Sequence, residues 1–212
     1  MLGALAQAVP DRVPADGEGG NSLIGIGGQR QDGSLFAMVD FFAGARGGGP
    51  LHDGAEGVSH PASNMANTPV EILEVENPVI VDEYAFITDS GGAGLHRGAQ
   101  AYTKQVTNIG KTGVLQLRSD KRKYPPYGLQ GGKSGSPSMN ILNPGPNQRI
   151  LPTLAQTNID HGEAFRHEMA GGGGWGDPLK RLPGAVLDDV LDGRVSTEAA
   201  RALYGVILTA ND

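Results

Sequence analysis

Glycine is the residue that most limits what this chain can become. There are 34 glycines in 212 residues, clustered at Gly47–Gly49, Gly91–Gly92, Gly131–Gly132 and in the unbroken run Gly171–Gly174. Average usage is about 7%, so this chain carries roughly twice the norm. Each glycine adds backbone entropy to the unfolded state and contributes no side chain to a core. With 14 prolines and only 5% aromatic residues beside them, long helices and a dense aromatic interior are both disfavoured. A chain of this kind needs loops that pack on one another, or a partner, and a partner is the expectation. No internal repeat and no linker divides the sequence, so 1–212 reads as a single domain.

Regular elements must fit between these clusters. The segment LGALAQAV at 2–9 suits a short helix stopped by Pro10 and Pro14. The Gly-rich stretch Asp16–Ser34 holds one apolar patch at Leu23, Ile24 and Ile26. LFAMVDFF at 35–42 predicts a buried strand. VEILEVE at 70–76 and YAFIT at 84–88 predict strands from their β-branched and aromatic content. Gln100–Thr107 and Val114–Arg118 predict a strand pair, turned around Asn108, Gly110 and Gly113. From Tyr124 to Pro146, proline and glycine exclude any long helix.

The end of the chain differs. Pro183 suits a first helical turn, and Val186, Leu187, Val190 and Leu191 share a face before Gly193. Ser196 suits the cap of a second helix with Ala200, Leu203 and Tyr204 on its apolar side, ended by Gly205. The fold class is therefore α+β: a β-rich body with long Gly/Pro loops, closed by two short C-terminal helices at about 183–208.

The formal charge of −6 and the single basic cluster Lys121-Arg122-Lys123 argue against nucleic acid. No run approaches the roughly 18 apolar residues of a membrane-spanning helix. Cysteine is absent, which removes disulfides, thiolate metal sites and a cysteine nucleophile. The apolar start Met1–Pro10 lacks the basic lead-in and cleavage region of a secretion signal. The cytoplasm is the expected location.

Three fragments imitate well-known sites and fail on context. TDSGG at 88–92 lacks the rest of a serine-protease pattern. GLQGGKSG at 128–135 places Tyr127 where a phosphate loop needs its first glycine, and Gly135 and Pro137 block the helix that must follow. GGAGLHRG at 91–98 has the wrong spacing for a dinucleotide fingerprint. The five histidines, His52, His60, His96, His161 and His167, include no i, i+4 pair, and read as polar loop residues without metal. The N–H groups of Gly171–Gly174 suit either an anion cradle or a tight passage beneath Trp175.

Taken in order, the loop motifs resemble one family. GGGP-x-x-DG (47–54), NTPVE-x-x-E (67–74), Y-x-F-x-x-DSGGAG-x-x-RG (84–98) and PPYGLQGG-x-x-G (125–135) are followed by FRHEMAGGGGWGDPLKR (165–181) and VLDDVLDGRVSTEAARALYGVIL (186–208). This succession is similar to the C-terminal portion of B-type subunits in the hydantoinase B/5-oxoprolinase family. The sequence departs from the pattern at Leu95, Ala99 and Trp175.

The resemblance implies a component of an ATP-dependent cyclic-amide hydrolase. An A-type subunit with an ATP site would activate a small cyclic amide, and the B-type subunit would process it beside a divalent metal. Amide resonance makes the unactivated carbonyl a poor electrophile. The family's metal motifs lie in an N-terminal B-type half that this sequence lacks, and the A-type ATP motifs are absent too. The expectation is a chain that binds no cofactor alone, is inactive alone and exposes an apolar face where its neighbour belongs. Ketone carboxylation, as in acetone and acetophenone carboxylases, is the alternative within the family. A non-catalytic truncated remnant or interaction module is the alternative outside it. Candidate substrate-binding residues are Asp89, Ser90, Arg97 and Asn67, with Arg97 holding a carboxylate or phosphoryl group through its planar fork. Glu71, Glu74, Gly171, Gly172, Gly173, Gly174 and Asp177 are candidate structural loop residues; no metal ligand and no catalytic residue is assigned.

Overall fold

In the computed structural model, residues 2–209 are described. The elements run α1 (Leu2–Leu5), β1 (Ser22–Gln29), β2 (Leu35–Phe42), α2 (Val70–Glu76), β3 (Val79–Phe86), β4 (Tyr102–Asn108), β5 (Thr112–Arg118), β6 (Met139–Leu142), β7 (Arg149–Ile150), β8 (Leu154–Asn158), β9 (Ala164–Glu168), α3 (Pro183–Leu191) and α4 (Thr197–Tyr204). One sheet has the order β2-β1-β5-β8 and the other β3-β4-β9-β6-β7. Every named strand pairing is antiparallel. The inner faces meet in one apolar core, with Ile24, Ile26, Phe36, Met38, Phe42, Leu115 and Leu117 from the first sheet. Val79, Tyr102, Val106, Leu142 and Phe165 come from the second. The α+β class and the two short C-terminal helices are as the sequence indicates.

Four expectations are corrected. VEILEVE is the helix α2, not a strand. It starts directly after Pro69, and its C-terminal end is closed by the backbone and side-chain nitrogens of Asn77, both bonded to the Leu73 carbonyl at 3.1 Å. A helix satisfies its backbone internally and needs no partner strand, so a single buried anchor, Leu73, suffices to hold it. The second correction concerns β4 and β5, which do not pair with each other. The chain crosses from one sheet to the other between them, and Asn108 braces the crossing by donating to the Ile159 carbonyl and accepting from the Gly110 N–H. Third, LFAMVDFF is a strand buried on alternate residues only, at the edge of its sheet. Fourth, Leu191 is 73% exposed, and Leu203 is exposed as well. The helical pair instead buries Val186, Ala200 and Tyr204 around Ala93.

The helices at both ends of the chain are short. The α1 helix is a single turn, shorter than its apolar run suggests. Ser196 caps α4 by accepting from the Ala199 N–H at 3.0 Å, and Gly205 ends it with φ 69°. Pro183 occupies the first turn of α3.

The glycine loops form a second, backbone-only core. Successive N–H groups of Gly171, Gly172, Gly173 and Gly174 donate to the carbonyls of Ser136, Ala99, Asp16 and Lys133 at 2.8–3.1 Å. In return, the carbonyls of Gly172, Gly173 and Gly174 accept from Gly92, Gly48 and Leu129. A Cβ at any of the four would fall 1.9–2.2 Å from a backbone oxygen. Here the backbones lie too close for any side chain. All four N–H groups are spent inside the protein, so the run is a structural hub and not an anion cradle.

Candidate functional site

A cleft of about 840 Å³ lies between residues 14–19, the 45–47 loop, the His60–Ala62 turn and Tyr127. Gly3, Gly17, Gly19 and Gly47 contribute to its wall, which also carries several polar side chains. His52, His60, Asp16, Arg46 and Lys121 line it, and Glu18 forms part of its wall.

The two imidazoles differ in which ring nitrogen carries the proton. The His52 Nδ1 lies 2.8 Å from the Asp53 carbonyl, which can only accept, so Nδ1 carries the proton and Nε2 keeps its lone pair. The His60 Nδ1 accepts from the Ala62 N–H at 3.2 Å, so its proton sits on Nε2. Of the two rings that line the cleft, His52 thus keeps an acceptor nitrogen and His60 a donor. Lys121 pairs with Asp16, and Arg46 donates through Nε to the Ser59 carbonyl.

The Glu18 side chain is buried in this wall, with neither carboxyl oxygen bonded to another side chain. Burial pushes its carboxyl up to about 8, opposed only in part by the Gly44 backbone. At neutral pH it is therefore mostly the neutral acid. Nothing in the sequence marks it: GEGG carries no periodicity and belongs to no motif. His52 and His60 are visible there as loop histidines, but their shared cleft depends on contacts across the fold.

The candidates singled out from sequence are elsewhere. Arg97 is buried, with Nε on Asp189 at 2.9 Å and NH1 on Glu56 at 2.7 Å. Arg181 adds a two-pronged pair with Asp53 at 2.7 and 2.8 Å and an ion pair with Asp189. Burial of Asp53 works against its charge, yet hydrogen bonds and charge from Arg181, with the Arg97 charge, hold its carboxyl below the usual range. This network ties the 53–56 and 95–97 loops to α3. Ser90 is buried, donating to the Ile87 carbonyl and accepting from the Ala101 N–H. Asp89 accepts from the Ser196 N–H and so braces the start of α4. Asn67 donates to the Tyr84 hydroxyl at 2.7 Å. None of these four lines the cleft.

Among the loop candidates, Glu74 accepts from the Val81 N–H of β3, and Asp177 caps the short 3-10 turn Pro178–Lys180 through the Leu179 N–H. Glu71 is exposed in the first turn of α2. Among the described residues no three His, Asp or Glu side chains gather as a metal site. No set of side chains among the described residues fits, by itself, the divalent metal that the family resemblance implies.

The hydantoinase B/oxoprolinase family model fits residues 1–178. The chain belongs to this family. It is 31% identical over its whole length to the provisionally named D-/L-hydantoinase B subunit of Pseudomonas sp. (strain NS671), covering 36% of that protein. It is 30% identical over 98% of its length to the caprolactamase beta subunit of Pseudomonas jessenii, covering 38% of it. Its fold is similar to the crystal structure of ATP-dependent caprolactamase from Pseudomonas jessenii, with TM-score 0.84 and 26% identity over 99% of this chain and 38% of that one. Nucleotide-free acetone carboxylase shares the fold, with TM-score 0.77 at 22% identity over 97% of this chain and 32% of that one. The chain thus spans 32–38% of the length of these relatives.

Proposed function

We propose that this chain serves as the C-terminal body of a B-type subunit in an ATP-dependent cyclic-amide hydrolase. The observation that carries this reading is the end-to-end likeness, in sequence and in fold, to an ATP-dependent caprolactamase. An A-type subunit would use ATP to turn the lactam oxygen into a leaving group. The remainder of the B-type subunit would supply the metal ligands. The present chain contributes a rigid wall. Its glycine hub fixes the loops around the cleft, and the Arg97–Asp189–Arg181–Asp53 network holds them to the C-terminal helices.

Within the cleft, a cyclic amide presents an N–H and a carbonyl on the same side. Nε2 of His52 accepts from the N–H, and Nε2–H of His60 donates to the carbonyl. Replacing His52 or His60 with Ala in the assembled enzyme should lower kcat/KM by about tenfold to a hundredfold, the loss of one or two oriented hydrogen bonds. Unchanged kinetics in both variants would move the substrate away from this cleft. The reaction class is tested by product analysis of the assembled enzyme supplied with ATP. A ring-opened amino acid from 5-oxoproline, a hydantoin or caprolactam supports the proposal. A carboxylated product from acetone or acetophenone and bicarbonate, with no ring opening, replaces it with ketone carboxylation.

A further inference from the structure

Gly25 and Gly27 lie in the middle of β1 on the outward face of the four-stranded sheet, and no contact among the described residues requires glycine at either position. A Cβ at Gly25 would stand 3.6 Å from the Met38 carbonyl oxygen, and one at Gly27 would stand 3.7 Å from that of Phe36. Both are ordinary contacts, and neither residue has positive φ. Gly28, next along, is different: its Cβ would fall 2.0 Å from the Thr112 oxygen. Glycine inside a strand weakens it, and typically marks a bulge, a bend or the close approach of another backbone. β1 pairs with β2 and β5 without a break in register through both positions, which excludes the bulge.

The flanks of these glycines complete the shape. The register sets Gly25 between Val39 and Gln116, and Gly27 between Ala37 and Val114. The outward residues of β2 are Leu35, Ala37, Val39 and Phe41, with no polar side chain among them. Leu35 and Val39 are 78% and 57% exposed. A sheet with one face in water ordinarily alternates apolar-in with polar-out. Here a trough without side chains runs beside an apolar ridge, the relief that receives another element at close range.

We propose that this trough and ridge form the seat for the rest of a B-type subunit, which lays an apolar element over Gly25 and Gly27 against the β2 ridge. The inference rests on the reading that the chain works as part of such a subunit. The choice of occupant follows from length. Matched almost end to end, this chain accounts for 36–38% of its relatives, so a family member has more than this chain's own length again to pack against it.

The test mixes this chain with the portion of the Pseudomonas jessenii caprolactamase beta subunit outside the match, and measures complex formation by sedimentation and calorimetry. Wild type and G25V/G27V are compared. Valine suits a strand and its Cβ meets only ordinary contacts here, so the double variant should melt at or above the wild-type temperature. It should bind the added portion at least tenfold more weakly. Equal binding by the variant overturns the assigned face, and no complex with wild type overturns the occupant. A variant that unfolds shows that this chain itself needs the glycines, which removes the premise. Concentration-dependent dimers of wild type, broken in G25V/G27V, make a second copy the occupant and overturn the proposal. A complex that forms on this face yet opens no lactam with an A-type subunit and ATP would defeat the functional reading and leave the docking surface standing.

Discussion

Glu18 and His167 are both buried, and burial moves them in opposite directions. The Glu18 carboxyl is pushed up to about 8 and the His167 imidazole down to about 4. Both are therefore mostly uncharged in the folded protein at neutral pH. His167 stacks on Phe42 and donates Nδ1–H to the Asn140 side-chain oxygen, because the Asn140 nitrogen is already committed to Ser119 and Pro152. The linkage signs follow. Glu18 holds its proton more tightly folded than unfolded, so its contribution is complete below about pH 4.5 and is lost as pH rises towards 8. His167 holds its proton less tightly folded than unfolded, so stability is lost as pH falls from about 6.5 towards 4. Glu18→Gln keeps the shape and removes the ionisable group. It should flatten the decline in melting temperature above about pH 5 and stabilise the protein at about pH 8 by on the order of 2 kcal/mol. An unchanged profile would show that Glu18 finds a partner in solution. Gly172→Ala tests the backbone core. Its methyl would sit 2.0 Å from the Arg46 oxygen, so soluble expression should fail, and a folded variant with wild-type melting would refute that packing. Glycine abundance is plain in the sequence, but which glycines lie too close for a side chain depends on contacts across most of the chain, as between Asp16 and Gly173.

Among the elements, α3 and α4 are legible in the sequence because their signals are local. Pro183 starts one helix, and Ser196 and Gly205 bound the other. Ser196→Ala should cost about 1 kcal/mol, measured by denaturant unfolding; no loss would mean that Asp89, which already takes the Ser196 N–H, can hold the turn alone. The network beneath these helices is not legible. Arg97 reads as a cleft residue because it follows a glycine loop, but Asp189, 92 positions later, claims its guanidinium. Arg97→Ala would leave Asp189 buried with half its compensation and should destabilise by about 3–5 kcal/mol, read as an early melting step. A variant as stable as wild type would show that Arg97 is free for a ligand. The helix α2 reads as a strand because Val70, Ile72 and Val75 favour strands, a preference that tertiary context overrides. The β4–β5 connection reads as a hairpin because it is short, and only the positions of the sheets reveal a crossing between layers.

For the whole molecule, order is more informative than any single motif. Each glycine loop is weak evidence alone, yet their succession from Gly47 to Leu208 points to the family, while β6, β7 and β8 leave no mark of their own between them. The two-sheet arrangement is hidden because short strands without a strict alternation give little period-2 signal. The cleft is hidden for a different reason: its walls come from residues 2–19, 45–62, 121 and 127. The exposed apolar positions Leu35, Val39, Leu154, Leu182 and Ile207 suit a body that works within a larger assembly. Isolated chain should bind dyes specific for apolar surface, and addition of the rest of a B-type subunit should suppress that signal. The most direct test of the central claim is omission and restoration. An A-type subunit and the remainder of a B-type subunit are supplied with ATP and a cyclic amide, with and without this chain, and the ring-opened amino acid is measured. Ring opening that appears only when this chain is added is the predicted result. Equal ring opening without it, or none with it, would contradict the account.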